Sequence, residues 1–322
     1  MVVGTRSVVL ALAFCLVLTS LTLAAANWSQ LHPSASPPAR GYPAMAYDPV
    51  SQKIVLFGGY NGSYLNDTWT FDGTTWTEQH PTSAPPVRTA AGMAFDRVTR
   101  KLVLYGGFSG NGNYLGDTWL WDGAASTWTQ ANPAHSPATV TGPSVFTDPK
   151  NGRVDEYGGF DGTTHRYQLT TWQWTGSDWK QLHTTNSPLA RAFAIAATNP
   201  EGKYVALYAG LGDIRTDNSW TFDGVDWTQQ SPHIQPANRY GASGAFDPAL
   251  KSVIAFGGGE GGPDVNDTWA FLGKQWKQLT PKTAPPAREG FGMVLDLSLG
   301  HIVIFGGQAG SGVLNDTWEL QP

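Results

Sequence analysis

The sequence predicts an all-β fold, a six-bladed β-propeller with four antiparallel strands in each blade, because three features repeat along the chain. A pair of small residues recurs at intervals of 48, 52, 51, 48 and 49 residues: Gly58-Gly59, Gly106-Gly107, Gly158-Gly159, Ala209-Gly210, Gly257-Gly258 and Gly306-Gly307. A first tryptophan follows each pair, at Trp69, Trp119, Trp172, Trp220, Trp269 and Trp318. A second follows seven to nine residues later, at Trp76, Trp128, Trp179, Trp227 and Trp276. A period near fifty residues with paired glycines and spaced aromatics is typical of propeller repeats.

The first full repeat shows how four strands fit into one period. Two apolar runs flank an Asp-Pro turn, and the second run leads directly into Gly58-Gly59. Glycine tolerates positive φ and close backbone approach, so the pair suits a strand end crowded by the next blade. A variable loop follows, and a hairpin turn at Asp72-Gly73 separates two further strands. The predicted strands of this repeat are residues 42–47, 53–57, 67–71 and 75–79.

The two ends of the chain predict how the ring closes. The last repeat stops at residue 320, after its third strand, and a matching fourth strand is found at residues 27–31. There Asn-Trp-Ser-Gln-Leu parallels the Thr-Trp-Thr-Glu-Gln of the first repeat. We therefore predict that a strand at about 27–32 completes the C-terminal blade, which removes exposed sheet edges. The predicted repeats are residues 41–88, 89–140, 141–191, 192–239, 240–288, and 289–320 together with 27–40.

Residues 1–26 predict a signal peptide, and residues 27–322 predict a single propeller domain. Arg6 gives a positive start, an almost wholly apolar run follows, and three alanines form a cleavage site. An uncleaved membrane anchor is the alternative, since the apolar run nearly reaches spanning length. With cleavage we expect a secreted, periplasmic or extracellular protein without a membrane span. Cys15 is the single cysteine, so the mature chain would have no disulfide and no thiol nucleophile.

Charge and histidine spacing narrow the classes of partner. The net charge is -5, which argues against nucleic acid, because binding to phosphates needs a basic surface. The seven histidines show no metal-ligand spacing. We therefore expect no metal and no cofactor, and we expect a monomer.

The repeats resemble the kelch-repeat superfamily, which includes the propeller of galactose oxidase and the periplasmic sialic acid mutarotases. The resemblance covers residues 27–322 and rests on the glycine pairs and the spaced tryptophans. It implies the propeller fold but no single activity, because one fold hosts many functions. Copper radical oxidation of the galactose oxidase kind is excluded, because its Cys–Tyr cofactor needs a cysteine that the mature chain would lack.

An arginine precedes the first strand of five blades, and two interpretations are open. These arginines could form a ring near the channel mouth that grips carboxylates or other anions through bidentate hydrogen bonds. They could instead form ion pairs with the aspartate that opens each third strand. Blade three favours ion pairs, because Val140 replaces the arginine and Thr170 replaces the aspartate. The five candidate binding arginines are Arg40, Arg88, Arg191, Arg239 and Arg288.

Blade three also carries Asp155 and Glu156 where the other blades have apolar pairs. Successive strand residues face opposite sides, so one carboxyl group should point into a packed layer and be paired or neutralised. Asp155, Glu156 and His165 are therefore speculative catalytic residues, which could act as general acid or base on a sugar near Arg191. The alternative is a degenerate blade whose carboxylates pair with arginines.

Aromatic residues follow the glycine pairs of blades one to three but not those of blades four to six. Their loops should share a face with the arginines, where a one-sided aromatic set would suit a sugar or a peptide. The alternative is that they anchor the loops. The tryptophans are interpreted as blade-packing residues, because they keep fixed repeat positions. The candidate binding aromatics are Tyr60, Tyr64, Phe108, Tyr114 and Phe160, and Tyr167 extends the set.

Three functions fit these features. The first is a secreted binding module that recognises a protein or a glycan through the face with the arginines and the aromatic loops. The second is a sugar-acting enzyme, such as a mutarotase-like epimerase, with its site near blade three. The third is a scaffold without a small ligand. An enzyme needs a carboxylate or histidine at the channel mouth within reach of an arginine, whereas a binding module needs an exposed aromatic and polar rim.

Overall fold

A computed structural model describes residues 26–214, 216–259 and 262–321. Within these ranges the regular structure is β-strand, without an α-helix, and six four-stranded antiparallel sheets form the body of the molecule. The all-β kelch-type propeller predicted from the repeats is confirmed. No described segment is a helix long and apolar enough to cross a membrane. The predicted signal peptide lies outside the described residues, apart from Ala26.

The strands of blades one to five follow one another in chain order across each sheet. Blade one contains Ala44–Asp48, Lys53–Tyr60, Tyr64–Phe71 and Trp76–Gln79. Blade two contains Gly92–Asp96, Lys101–Tyr105, Thr118–Asp122 and Thr127–Ala131. Blade three contains Ser144–Thr147, Val154–Tyr157, Thr171–Trp174 and Trp179–Leu182. Blade four contains Ile195–Asn199, Tyr204–Tyr208, Ser219–Phe222 and Trp227–Gln230, and blade five contains Ser243–Asp247, Ser252–Phe256, Thr268–Phe271 and Trp276–Leu279.

Blade six joins the two ends of the described chain. It contains Gly292–Asp296, His301–Phe305, Thr317–Gln321 and, as its outer strand, Asn27–Leu31. The outer strand pairs antiparallel with Thr317–Gln321, with Trp28 opposite Leu320. The first strand of each blade contacts that of the next, and the first strand of blade six contacts that of blade one.

Short strands extend the loops that follow three of the glycine pairs. In blade one the second and third strands continue until Tyr60 pairs with Tyr64, although the sequence predicted a loop at residues 60–65. The register of this pairing shifts at an irregularity between Phe57 and Gly59. The other short strands are Val140–Thr141, Phe160–Asp161 and Arg166–Tyr167 at blade three, and Gln308–Ala309 and Gly312–Val313 at blade six.

The second tryptophan of each blade joins it to the preceding blade. Each indole N–H donates a hydrogen bond to a threonine or serine hydroxyl on the neighbour's third strand, and the series runs round the ring. Because the indoles are buried and bonded within the fold, the structure supports their interpretation as packing residues. The six bonds are Trp28 to Thr268 (3.0 Å), Trp76 to Thr317 (3.1 Å), Trp128 to Thr68 (2.9 Å), Trp179 to Thr118 (2.9 Å), Trp227 to Thr171 (3.0 Å) and Trp276 to Ser219 (2.9 Å).

The glycine pairs are required by the backbone of the next blade. Gly58 has a φ of +63°, and a Cβ there would lie 2.6 Å from the carbonyl oxygen of Arg88. The N–H of Gly59 donates to that same oxygen over 2.9 Å. Equivalent bonds join every neighbouring pair of blades, and the bond from Gly307 to the Arg40 carbonyl completes the ring. The glycine pair therefore lies where the sequence predicted it, under the entering strand of the next blade.

The first strands of the six blades line a central channel. We call the end that carries the glycine pairs, the loops after them and the arginines the upper face. The opposite end is the lower face, which carries the turns between first and second strands and between third and fourth strands. Both ends present side chains that could contact a ligand.

Candidate functional site

Four of the five predicted arginines form bidentate ion pairs with the aspartate that opens the third strand of the same blade. In each pair the two terminal nitrogens bond the two carboxylate oxygens, which is the strongest geometry for this contact. The pairs, with Nη1–Oδ1 and Nη2–Oδ2 distances, are Arg40–Asp67 (2.6 and 2.8 Å), Arg88–Asp117 (2.7 and 2.8 Å), Arg239–Asp267 (2.5 and 3.1 Å) and Arg288–Asp316 (2.7 and 2.7 Å).

The remaining donors of these arginines bond the backbone. Arg40 donates from Nε to the carbonyl of Pro38 and from Nη1 to that of Gly58, each over 3.0 Å, and the other three repeat this pattern. Their side chains are at most 3% exposed. The structure therefore favours the ion-pair interpretation over contact with a ligand.

Blade four departs from this pattern. Arg191 donates from Nη2 to the side-chain oxygen of Asn218 over 2.7 Å, so its acceptor there is an amide and not an aspartate. Burial lowers the pKa of Arg191 to about 10. In the arginine–aspartate pair Arg88–Asp117, the pKa of the carboxyl group is shifted. Burial alone would raise the pKa of Asp117, but the hydrogen bonds and charge of Arg88 hold that pKa below its usual value.

The carboxyl groups of Asp155 and Glu156 are both buried inside blade three. Glu156 shares the strand face of Val154, which packs in the core between blades two and three, and its Oε1 has no hydrogen-bond partner. Burial raises the pKa of Glu156 well above its ordinary value. Burial without a cationic partner therefore favours the neutral form of this carboxyl group.

Asp155 lies on the opposite face of the strand. Its Oδ1 accepts a 2.9 Å hydrogen bond from the amide nitrogen of Gln173, which also donates to Asp148 over 3.0 Å. Its Oδ2 has no partner. Burial and then the charge of Asp148 raise the pKa of Asp155 well above its ordinary value. The neighbour of this carboxyl group is therefore another carboxyl group, not an arginine.

The three speculative catalytic residues are not brought together. His165 lies exposed at the tip of the loop on the upper face, whereas Asp155 and Glu156 are buried in the middle of a blade and point to opposite sides of it. Arg191 is buried and bonds Asn218. These residues form no common site that a sugar could enter.

The predicted aromatic residues do come together, as a continuous series along the upper face of blades one to three. We call this series the aromatic ridge. Every member is partly exposed, and neighbouring rings cross at angles between 51° and 78°. Ring centroids are separated by 4.9 Å for Tyr60–Tyr64, 5.6 Å for Tyr64–Phe108, 4.9 Å for Phe108–Tyr114, 5.9 Å for Tyr114–Phe160 and 5.1 Å for Phe160–Tyr167.

Glycines in the loops allow the ridge to form. A Cβ on Gly110 would lie 2.6 Å from the ring of Tyr64, and one on Gly162 would lie 1.9 Å from the ring of Tyr114. Each tyrosine thus lies against the loop of the next blade, so the predicted anchoring of loops is part of its role. Residues 60–66 and 108–116 carry no charged side chain, which leaves an uncharged surface of rings and small polar groups.

Two aromatic rings cover the upper mouth of the channel. Tyr42 of blade one and Phe193 of blade four meet edge to face, with centroids 5.6 Å apart. The residues at this repeat position all have positive φ, and each donates its N–H to the carbonyl of its neighbour, so the ring of bonds is closed. Its members are Tyr42, Ala90, Gly142, Phe193, Gly241 and Gly290.

Beside this mouth lies an acidic cluster that sequence reasoning missed. The carboxyl groups of Glu289 and Asp264 lie close together there, with Tyr42 and Tyr240 beside them. Burial, and then the charge of Asp264, raise the pKa of Glu289. Glu289 was detectable, since its position is neutral in the other blades: Gly41, Thr89, Thr141, Ala192 and Tyr240. No group of three or more His, Asp or Glu that could hold a metal occurs among the described residues.

Comparison with known proteins supports the fold. A sequence profile described as the KLHDC2/KLHL20/DRC7 Kelch-repeats domain matches residues 12–176, slightly more than half of the chain. The solved structure titled "Structure of YjhT" is similar over 90% of this chain and 99% of its own, with a TM-score of 0.72 and 16% identity, which shows a shared fold. No curated protein matches the chain. On the sequence profile and the repeats, this chain belongs to the kelch-repeat family.

Proposed function

We propose that the chain is a secreted or periplasmic binding module whose upper face recognises a protein or glycan ligand through the aromatic ridge. The main support for this proposal is that six partly exposed aromatic rings contact one another in a continuous series across three blades. Rings held by their neighbours lose little freedom on binding, so they offer a large contact area at low entropic cost.

The composition of the ridge loops favours a protein as the ligand. Residues 60–64 read Tyr-Asn-Gly-Ser-Tyr, and residues 108–114 read Phe-Ser-Gly-Asn-Gly-Asn-Tyr. Tyrosine, serine, glycine and asparagine are the residues enriched in the binding loops of antibodies, where rigid rings supply area and small polar groups adapt their hydrogen bonds. The family relationship points the same way, since kelch propellers commonly bind proteins.

The test is a comparison of ligand capture between the mature protein and a ridge variant, Tyr64→Ser with Tyr114→Ser. The matched control is Ile234→Ser, which removes an apolar side chain that is 65% exposed outside the ridge. Each protein is applied to a glycan array and to extracellular proteins of the source cells with crosslinking. We expect the ridge variant to lose ligands that the control keeps, while both variants stay folded by circular dichroism. Equal capture by all three proteins would contradict the proposal.

A sugar-acting enzyme is the second candidate. Its active site would be the acidic cluster at the upper mouth of the channel and not the residues of blade three. Glu289 and Asp264 are neighbouring carboxyl groups, and the raised pKa of Glu289 suits a general acid. Exchange of sugar anomers followed by NMR would test it. Glu289→Gln should abolish any exchange that the wild-type protein accelerates, and the absence of acceleration across neutral, amino and acidic sugars would remove the candidate.

Export is tested separately. If the leader is cleaved as we propose, the protein recovered from the extracytoplasmic fraction should begin at Asn27. An intact N-terminus on protein that stays with the membrane would instead support the uncleaved anchor.

A further inference from the structure

The central channel encloses an apolar cavity of about 370 Å³, which lies within the range of ~300–1,000 Å³ common for ligand pockets. First strands from all six blades line it. The methionines among the described residues, Met45, Met93 and Met293, all belong to its lining. Methionine is flexible and polarizable, and it is favoured where an apolar surface must adapt to a bound group. The wall therefore suits an apolar ligand.

The two ends of the cavity differ, because aromatic rings lie over its upper end and solvent-exposed side chains line its lower end. Above it lie the crossed rings of Tyr42 and Phe193, inside the closed ring of backbone hydrogen bonds. Below it, Pro49, Arg97 and Leu297 line the cavity and are also exposed to solvent. A ligand would therefore enter from the lower face.

One repeat position, directly after the aspartate or asparagine at the end of each first strand, lies at the lower mouth of the channel. It is charged in one blade only. Arg97 occupies this position in blade two, and its guanidinium has no hydrogen-bond or ion-pair partner among the described residues. Its stem lies against Gly152, where an added Cβ would come within 3.0 Å of it. The other blades have apolar residues at this position: Pro49, Pro149, Pro200, Pro248 and Leu297.

The inner turns of the lower face are basic although the whole chain is acidic. Between the first and second strands, the exposed charged residues include one acid, Glu201. The aspartates that begin these turns are buried. The turns further from the channel, between third and fourth strands, carry aspartates such as Asp72 and Asp223, so positive charge is concentrated round the mouth. The exposed bases of the inner turns are Arg97, Arg100, Lys150, Lys203 and Lys251.

We propose that this channel is a second binding site, separate from the aromatic ridge, for a single-chain amphipathic carboxylate such as a fatty acid. The hydrocarbon tail occupies the cavity between the methionines, and the carboxylate accepts hydrogen bonds from Arg97 at the lower mouth. A largely apolar wall attracts an apolar tail, and a planar guanidinium matches a carboxylate in bidentate geometry.

The experiment is titration calorimetry of the mature protein with dodecanoate below its micelle concentration. Dodecyltrimethylammonium, which has the same tail and the opposite charge, and acetate, which has no tail, serve as controls. We expect saturable binding of one dodecanoate, and weaker or undetectable binding of both controls. Arg97→Gln should weaken dodecanoate binding about tenfold or more, because a charge-assisted hydrogen bond is lost. The matched variant Arg100→Gln, an exposed arginine of the same turn, should bind as the wild-type protein does.

A second variant tests the position of the tail. Ala196→Phe adds a ring to the cavity lining, so it should reduce dodecanoate binding, with folding checked by circular dichroism. The proposal fails if both alkyl compounds bind equally, if Arg97→Gln and Arg100→Gln weaken binding equally, or if the folded Ala196→Phe protein binds dodecanoate unchanged. It also fails if the protein binds phosphatidylglycerol vesicles but not free dodecanoate, since the exposed bases of the inner turns would then recognise a membrane surface.

Discussion

Blades two and three are neighbours with the same strand order, but a buried arginine is paired with an aspartate in blade two, whereas buried carboxyl groups are unpaired in blade three. Blade two holds the ion pair Arg88–Asp117, whose shorter contact is 2.7 Å. Blade three has Val140 and Thr170 at the two corresponding positions. It also buries two carboxyl groups in place of an apolar pair, and neither has a cationic partner among the described residues.

Blade three nevertheless keeps the bonds that join it to its neighbours. Trp179 donates to Thr118 of blade two over 2.9 Å, and Gly159 donates to the carbonyl of Arg191 at the start of blade four over 2.8 Å. The comparison teaches that the bonds between blades are shared by the whole ring, whereas the ion pair within a blade can be replaced. What cannot be lost is one member of a pair while the other stays buried.

The largest effect should come from breaking the pair in blade two. Arg88→Val leaves the partly buried Asp117 without its partner, so the free energy of unfolding should fall by about 3–5 kcal/mol, measured by urea denaturation. The double variant Arg88→Val with Asp117→Thr copies the arrangement of blade three and should recover much of this loss. If the double variant is as unstable as the single one, the blade-three solution cannot be transferred, and the comparison is broken.

A smaller effect of opposite sign is expected in blade three. Glu156→Leu replaces a buried carboxyl group that lacks a partner at Oε1 with the residue found in blades one, two and four, so stability should rise by about 1–3 kcal/mol. Glu156→Gln, which keeps a buried polar group, should give no such gain. A clear fall in the melting temperature of Glu156→Leu would mean that the carboxyl group has a role that the contacts do not reveal.

The pH dependence of stability should also differ between the two blades. The folded pKa of Glu156 is raised, so its stabilising contribution is complete below the ordinary value of 4.5 and is lost as the pH rises toward the folded pKa. One such group costs about 1.4 kcal/mol per pH unit in that window. Stability should therefore fall less between pH 5 and 7 in Glu156→Leu than in the wild-type protein.

The contribution of Asp117 to stability depends on pH in the opposite direction. Its folded pKa is lowered, so its contribution is present above its ordinary value of 3.8 and is lost on acidification. Denaturation curves of Arg88→Val and Glu156→Leu measured from pH 3 to pH 8 would separate the two behaviours. Parallel pH profiles for the wild-type protein and both variants would contradict this assignment.

The smallest change in stability is expected in blade four, which keeps the arginine of blade two but, like blade three, lacks the aspartate that would pair with it. Asn218→Asp would give Arg191 a carboxylate in place of an amide oxygen, which should raise stability by about 1 kcal/mol and raise the pKa of Arg191. Asn218→Ala, which removes the acceptor, serves as the control and should destabilise the protein. A loss of stability in Asn218→Asp would indicate that the nearby Asp217 repels the new charge.

The repeats made most of the fold predictable, because each repeated residue has one physical task in every blade. Trp76 and its equivalents, Gly58 and its equivalents, and the arginine–aspartate pairs could all be interpreted by comparing repeats within one sequence. The aromatic series was also predictable as a one-sided set. Its contacts were not, because they depend on how Tyr64 lies over Gly110 of the next blade.

The three residues suggested for a site in blade three do not meet in the structure, for a reason that strand geometry explains. Adjacent residues of a strand face opposite sides, so Asp155 and Glu156 could not both reach one ligand, and His165 belongs to a loop at the end of the blade. The cluster of Glu289 with Tyr42 and Asp264 was missed because its members come from three separate repeats. Single departures from a repeat are visible in sequence, but their meeting at the channel mouth requires the ring.

The pairing of Asn27–Leu31 with Thr317–Gln321 has a consequence for the order of folding. These strands are separated by nearly the whole described chain, so their contact closes the longest loop in the protein and comes at a high cost in chain entropy. Inner strands of one blade need only local turns, which form far sooner. We therefore expect blade six to assemble last. Before that step, the other blades would form an open array with one unpaired strand at each end, and these two strands would then pair with each other.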